Sequence, residues 1–167
     1  MGNDSVFDRA VAVVLAHEGG LVDDPEDAGG LTNFGFALTE NPDLTAETIR
    51  AMTRDQAVAR YREKWWLPNR WKELAPEVAI KVFDLAVDIG PSSANKALQR
   101  AVRSASGFLL TDDGMLGDIT IGRANACADS ILLPALKSEL AGHYRELVAL
   151  RPAKIRFLSG WLIRAYS

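Results

Sequence analysis

Apolar residues recur at helical spacing along most of the chain. The first stripe follows a possible helix cap at Asp4 or Ser5 and stops at Gly19-Gly20. Spacings of three and four residues place such a stripe on one face of an α-helix, and paired glycines end it. The sequence therefore predicts an N-terminal helix with one buried face. Its apolar members are Val6, Phe7, Ala10, Val11, Val14 and Leu15.

Further helices are predicted from their end signals. Thr53 and Gln56 have the spacing of a capping box, which opens a helix that ends at Pro68-Asn69. A second helix is predicted from about residue 76 to 89, ending at Gly90-Pro91. The helix after it should break near Ser106-Gly107. Residues 121–165 then have helical character behind a cap at Thr120, with interruptions expected at Pro134 and Pro152.

Residues 19–36 differ from the rest of the chain. They are rich in glycine and turn-forming residues and show no helical period. Such a segment is typical of an irregular loop or a short hairpin. The predicted fold class is therefore mainly α, with a small β-hairpin near the N-terminus.

Length and composition restrict the possible functions. The 167 residues correspond to one domain with a real core, and the composition is that of an ordinary globular protein. A net charge of -3 gives no reason to expect nucleic acid as the partner. The single cysteine, Cys127, excludes an intrachain disulfide. No apolar run is long enough for a transmembrane span, and Asp4, Asp8 and Arg9 precede the first run in place of a positively charged leader.

Three polar residues near the paired glycines of residues 19–36 are candidate catalytic residues. Glu18 ends the predicted first helix, and Asp27 and Thr32 follow on either side of Gly29-Gly30. Hydrolysis of a glycosidic bond needs one carboxyl group to protonate the leaving oxygen and a second polar group to orient water or balance positive charge. Glycines allow a bulky ligand to approach the backbone closely. An exposed acidic turn explains the crowded acids of residues 23–27 equally well.

Metal chemistry finds little support in the sequence. His17 and His143 are the only histidines, and neither belongs to a zinc-binding motif. The acidic loop lacks the glycine that a calcium-binding loop requires, because Ala28 stands in its place. No cofactor is therefore implied.

The residues around Glu18 resemble a known family. His17-Glu18-Gly19-Gly20 and the segment from Asp27 to Gly35 are similar to the EGG and DxGGxTxxG signature of family 108 glycoside hydrolases. These are phage-type N-acetylmuramidases, once labelled secretion activators. The likeness extends over nearly the whole chain. It continues through Tyr61, Trp65-Trp66, Phe83-Asp84, Leu98-Gln99, Asp113-Gly114, Gly117, Thr120, Gly160-Trp161 and Arg164.

The resemblance implies roles for individual residues. Glu18 matches the family's catalytic acid, and the order of Glu18, Asp27 and Thr32 is similar to the triad of phage lysozymes. Tyr61 and Trp65 lie four residues apart on a helix, a spacing that favours the core, so Trp66 is the better candidate for a cleft wall. The residues expected to bind substrate are Asn33, Phe34, Tyr61, Trp66 and Asp88.

Two residues depart from the family pattern. Asp88 stands where an asparagine is expected, which changes the charge on that wall of the cleft. Trp65 stands where a tyrosine is common, which changes only the stacking surface.

The sequence thus predicts a single lysozyme-like domain acting on bacterial peptidoglycan. Residues 1–90 form the expected catalytic part. Residues 91–167 form the expected peptidoglycan-binding-like helical part, on the resemblance of residues 113–120. An endolysin is expected to be a monomer made in the bacterial cytoplasm without a signal peptide, and to act in the periplasm or cell wall after release, without stable membrane insertion. The alternatives are a lytic transglycosylase, or a non-enzymatic peptidoglycan-binding or secretion-related protein.

Overall fold

Eight α-helices and one small antiparallel sheet make up the part of the chain that the structure, a computed structural model, describes: residues 4–23 and 30–167. The predicted mainly α fold with a short β element near the N-terminus is confirmed. The chain divides into two compact units, Met1–Pro68 and Asn69–Ser167. Residues 69–90 therefore group with the C-terminal helices, and the functional parts 1–90 and 91–167 stay a prediction.

The first helix, α1 (Ser5–His17), begins and ends where the sequence predicts. Asp4 caps it, because its carboxylate accepts a hydrogen bond from the Phe7 N–H at 3.3 Å. The helix stops at Glu18, whose backbone is extended with φ -79° and ψ 139°. The predicted apolar stripe is largely confirmed. Its buried members are Phe7, Ala10, Val11 and Val14.

The sheet contains the strands β1 (Val22–Asp23), β2 (Leu31–Asn33) and β3 (Phe36–Ala37), with β2 in the middle. Both pairings are antiparallel. In β2 the first and last residues are buried, and the central Thr32 is half-buried, because successive side chains point to opposite faces. Thr32 therefore lies on the face of the sheet away from the core.

A two-residue turn, Phe34-Gly35, joins β2 to β3. Both residues have positive φ, 50° at Phe34 and 81° at Gly35, the combination found in type I′ hairpin turns. Glycine adopts this conformation readily, whereas a bulky side chain does so only when its surroundings hold it there. The turn at Phe34 is thus a strained point of the backbone.

A short helix, α2 (Ala46–Arg50), packs beside β2. Thr45 and Thr48 form a capping box at its start. Asn33 ties β2 to this helix, since its amide donates to the Ile49 carbonyl oxygen at 2.9 Å. Sequence periodicity did not indicate α2, because five residues are too few to show a helical repeat.

The next helix, α3 (Arg54–Tyr61), has the predicted capping box of Thr53 and Gln56. It continues as a π-helix, Arg62–Trp66, in which the Leu67 N–H donates to the Arg62 carbonyl oxygen at 2.9 Å. A π-helical turn holds more residues than an α-helical turn. Side chains after residue 61 are therefore displaced from the face that an uninterrupted α-helix would give them.

The C-terminal unit is entirely helical. Short 3-10 turns occupy Trp71–Glu73 and Pro152–Phe157, and another, Leu38–Glu40, lies in the N-terminal unit. The long helix α7 (Asp129–Leu150) packs against α4 (Pro76–Ile89), α5 (Pro91–Ser106) and α8 (Leu158–Tyr166). The boundaries predicted for α4 and α5 are confirmed. The helices are α4 (Pro76–Ile89), α5 (Pro91–Ser106), α6 (Asp118–Ala126), α7 (Asp129–Leu150) and α8 (Leu158–Tyr166).

Two predicted helix boundaries are wrong. Pro134 lies inside α7 and does not interrupt it. A proline removes one backbone hydrogen bond, and burial of the apolar side of α7, which includes Leu132 and Leu136, outweighs that loss. Thr120 is not a cap, because α6 begins at Asp118 behind Gly117, and Thr120 is buried in its first turn.

A buried charge cluster joins α4 to α8. Asp84 is fully buried, with Lys81 Nζ 3.3 Å from Oδ2 and Arg164 Nε 3.1 Å from Oδ1. Lys81 also donates to the carbonyl oxygen of Arg164 at 2.7 Å. Burial lowers the pKa of Lys81, while the nearby Asp84 favours its charged form. Because each charge has partners, the cluster fixes the C-terminal helix in place.

Candidate active site

Glu18 lies against the hairpin turn of the sheet. A Cβ placed on Gly35 would be 3.0 Å from both Cγ and Oε2 of Glu18, and it would overlap the hydroxyl of Tyr61. The Glu18 carboxyl group and the Tyr61 hydroxyl therefore converge on Gly35, whose backbone is in contact with both. Glu18 as a whole is half-buried.

Tyr61 supports the Phe34-Gly35 turn through a hydrogen bond and a ring contact. Its hydroxyl donates to the carbonyl oxygen of Phe34 at 2.9 Å, and its ring packs on Phe36 with centroids 4.8 Å apart. This hydrogen bond links the end of α3 to the residue with the strained positive φ. A bulky residue in that conformation persists only where the surroundings enforce it, and such points cluster at functional sites.

Two of the three predicted catalytic residues, Glu18 and Thr32, are among the residues that the structure describes. Glu18 ends α1, and Thr32 occupies the centre of β2 with its side chain half-buried. Thr32 pairs with Val22 and Ala37 across the sheet. Asp27 lies outside the described residues, so its part in the site stays a prediction.

The structure gives the two neighbouring tryptophans the opposite environments to those expected. Trp66 is buried, packs on Phe7 with centroids 5.5 Å apart, and donates from Nε1 to Asp4 Oδ2 at 2.8 Å. Trp65 is half-exposed and lies beside Tyr61, with centroids 5.4 Å apart. The π-helical turn explains the exchange, because it turns residue 66 to the buried side. Of the two, Trp65 has the surface that a sugar ring could contact.

Trp66→Phe is expected to destabilise the protein by about 1.5 to 3 kcal/mol, because the Asp4 carboxylate loses the indole donor in a part-buried position. The activity per folded molecule should stay close to that of the wild type. Urea denaturation and a turnover assay on the same preparations measure both quantities. A normal stability with a large loss of turnover would place Trp66 in the cleft instead.

Asn33 and Phe34, both predicted to bind substrate, occupy different environments. Asn33 is 5% exposed, and its amide group donates hydrogen bonds to the carbonyl oxygens of Ile49 and Met52. Phe34 is half-buried in the turn beside Gly35. Phe34 thus lies in the turn whose Gly35 is close to Glu18, whereas the Asn33 side chain points to the interior of its unit.

Asp88 belongs to the C-terminal unit, near the end of α4. Its carboxylate accepts a hydrogen bond from the Tyr144 hydroxyl and lies 3.9 Å from Nη1 of Arg164. Burial, and then the nearby Asp88 carboxylate, raise the pKa of Tyr144. The sequence did not indicate Tyr144 or Arg164 as partners of Asp88. Tyr144, for example, lies 56 residues away from Asp88 along the chain.

The loop resembling a peptidoglycan-binding region is held by the polar face of α5. Gln99 donates to Asp113 Oδ1 at 2.7 Å and accepts from the Gly114 N–H at 2.9 Å. Asn95 donates to the Gly114 carbonyl oxygen at 3.0 Å. A cavity of about 580 Å³ borders this loop, between Phe108 and Thr120. The loop therefore has a defined shape, and its wall-binding role stays a prediction.

Two further findings concern the described residues. Among residues 4–23 and 30–167, histidine, cysteine and acidic side chains form no group of three or more that could hold a metal ion. In the same part of the chain, no helix combines the length and apolar character needed to cross a membrane.

Comparison with known proteins shows what the segment around Glu18 is similar to. Residues 11–90 match the sequence profile described as Glycosyl hydrolase 108. Just under half of the chain is thus similar to this family. The matched segment runs from within α1 to the end of α4, so it contains Glu18, Thr32, Gly35 and Tyr61.

A solved structure extends the likeness beyond that segment. Brucella abortus SagA is 28% identical in sequence and superposes with a TM-score of 0.77. The match covers 98% of this chain and 91% of the SagA chain. The comparison with curated proteins found no match. Together the family and the structural match support a glycoside hydrolase that acts on peptidoglycan, and the lysozyme-like, mainly α fold predicted for this chain.

Proposed function

We propose that this protein is an N-acetylmuramidase of the endolysin type. It hydrolyses the β-1,4 bond between N-acetylmuramic acid and N-acetylglucosamine. The observation that carries the proposal is the position of Glu18, whose half-buried carboxyl group lies against the backbone of the Phe34-Gly35 turn. A carboxyl group fixed at a turn lined by glycine can approach a glycosidic oxygen without an intervening side chain.

Glu18 is the proposed general acid. Its proton passes to the glycosidic oxygen as the bond from that oxygen to C1 of the muramic acid breaks, and water supplies the oxygen of the new reducing end. Positive charge develops at C1 during this step. Asp27 and Thr32 are proposed to balance that charge and to position the water, and Phe34 and Trp65 to shape the adjoining surface. Tyr61, which was predicted to bind substrate, is only 1% exposed, and its proposed part is to hold the Phe34-Gly35 turn.

The remaining features of the proposal follow the family resemblance. The protein acts as a monomer on the wall, in the periplasm or outside it, after release from the cytoplasm of a bacterial cell. Asp88 is also proposed to contact substrate, and Tyr144 and Arg164 hold its carboxylate.

Digestion of purified peptidoglycan, followed by mass spectrometry of the fragments, tests the proposed activity. A muramidase releases fragments that end in reducing N-acetylmuramic acid. Fragments ending in a 1,6-anhydro sugar would identify a lytic transglycosylase. Binding to the wall without release of any fragment would identify a non-enzymatic protein.

Thr32→Val is expected to lower turnover by about 10- to 100-fold, because valine keeps the shape of threonine and removes the hydroxyl group that would hold water. The free energy of unfolding should change by less than about 1 kcal/mol, since Thr32 is half-buried in a short strand. Initial rates of fragment release and a denaturant titration give the two values. Thr39→Val, at an exposed threonine in the same unit, is the matched control. Equal turnover of wild type and Thr32→Val would remove Thr32 from the proposed machinery.

A further inference from the structure

The C-terminal unit exposes apolar side chains where α7 ends and the following 3-10 turn runs. Leu150 is 74% exposed, Ile155 59% and Phe157 44%. Three bases, Arg151, Lys154 and Arg156, alternate with them in the sequence. We call these six residues the 150–157 surface.

The aromatic and basic members of this surface contact one another. The guanidinium group of Arg156 lies over the Phe157 ring, 4.6 Å from its centroid. Phe157 packs on Trp161 with centroids 5.7 Å apart, and Lys154 Nζ lies 5.9 Å from the Trp161 centroid. Apolar rings and cationic groups are thus presented together.

The bases of this surface have no acidic partners in the part of the chain that the structure describes. None of Arg151, Lys154 and Arg156 forms an ion pair there, whereas Arg50, Arg70 and Arg100 each do. Residues 145–167 contain five bases and one acid in a protein whose net charge is -3. Positive charge is therefore concentrated at this end of the chain.

We propose that the 150–157 surface binds an anionic lipid membrane from one side, without spanning it. Lipid interfaces accept exposed aliphatic and aromatic side chains, while the charged ends of Lys and Arg stay among the headgroups. Anionic headgroups attract clustered bases. A purely polyanionic partner would leave Leu150 and Ile155 in water, and a second copy of the chain would bring the same bases together.

Co-sedimentation with lipid vesicles tests this surface on the whole protein. Vesicles with 30 mol% phosphatidylglycerol in phosphatidylcholine should bind the protein, and pure phosphatidylcholine vesicles should bind it far more weakly. The triple variant Arg151→Gln, Lys154→Gln, Arg156→Gln should bind the anionic vesicles about 100-fold more weakly, because each base near such a surface contributes about fivefold. The double variant Ile155→Ser, Phe157→Ser should bind the anionic vesicles about tenfold more weakly, because it removes apolar surface that would be buried in the lipid.

The control is Arg54→Gln, Lys72→Gln, Arg123→Gln, which removes the same net charge at exposed positions elsewhere. It should bind like the wild type. The proposal would be overturned if this control lost as much vesicle binding as the Arg151, Lys154, Arg156 variant. It would also be overturned if the wild type bound neutral and anionic vesicles equally. Normal vesicle binding by the Ile155→Ser, Phe157→Ser variant would overturn it too and would indicate a polyanion site. Self-association that this same variant abolishes would likewise overturn it and would indicate a second copy. Circular dichroism and thermal melts confirm that each variant is folded before binding is compared.

Discussion

Glu18→Gln is expected to lower the rate of wall hydrolysis by about 10² to 10⁴, the range typical of a lost general acid. Glutamine has nearly the same shape as glutamate and cannot donate the proton that the leaving oxygen needs. Glu18 ends α1, where the helix dipole disfavours a negative charge, so the free energy of unfolding should stay within about 1 kcal/mol of the wild-type value. Fragment release at matched concentration, with denaturant titrations of both proteins, measures the two effects.

Glu63→Gln provides the matched control. Glu63 is exposed in the π-helical turn of the same unit, and its substitution removes the same charge without touching the Phe34-Gly35 turn. Its turnover should equal that of the wild type. Lysis by Glu18→Gln at the control's rate would exclude Glu18 as the acid.

Gly35→Ala is expected to have the second largest effect. A methyl group at this position would overlap the Tyr61 hydroxyl and lie 3.0 Å from the Glu18 carboxyl oxygen Oε2. The φ of 81° adds strain for any residue with a Cβ. Together these should destabilise the protein by about 2 to 5 kcal/mol, from about 1 to 2 for the positive φ and 1 to 3 for overpacking.

Turnover per folded molecule should fall as well in Gly35→Ala, because the methyl group displaces Glu18 or the turn. The control is Gly20→Ala, since a Cβ on Gly20 has no neighbouring atom within 4 Å among the described residues. Thermal melts and initial rates on both variants distinguish the two positions. If Gly35→Ala were as stable and active as Gly20→Ala, the close packing of Glu18 on the turn would be refuted.

The helix ends were predictable because local chemistry determines them. Asp4 caps α1, Thr53 and Gln56 cap α3, and Gly90 separates α4 from α5, each with the contacts that its residue type favours. Pro134 misled the prediction, because a local helix breaker says nothing about the apolar face that α7 buries. Local signals thus located most helices, and tertiary packing decided the outcome at Pro134.

The candidate site was predictable in part. Glu18 and Thr32 stand out through their spacing from glycines, and the structure places one at the end of α1 and the other at the centre of β2. The environments of Trp65 and Trp66 were not predictable, since the π-helical turn that exchanges them has no known signature in the sequence. Tyr144 and Arg164 escaped notice as partners of Asp88, because contacts between distant helices leave no periodic pattern.

The most direct test of the central claim is digestion of purified peptidoglycan in ¹⁸O-labelled water by wild type and Glu18→Gln side by side. The proposed mechanism predicts reducing N-acetylmuramic acid ends that carry one ¹⁸O atom with the wild type, and at least 100-fold fewer of them with the variant. Unlabelled anhydro ends, or equal release of labelled ends by both proteins, would contradict hydrolysis with Glu18 as the acid.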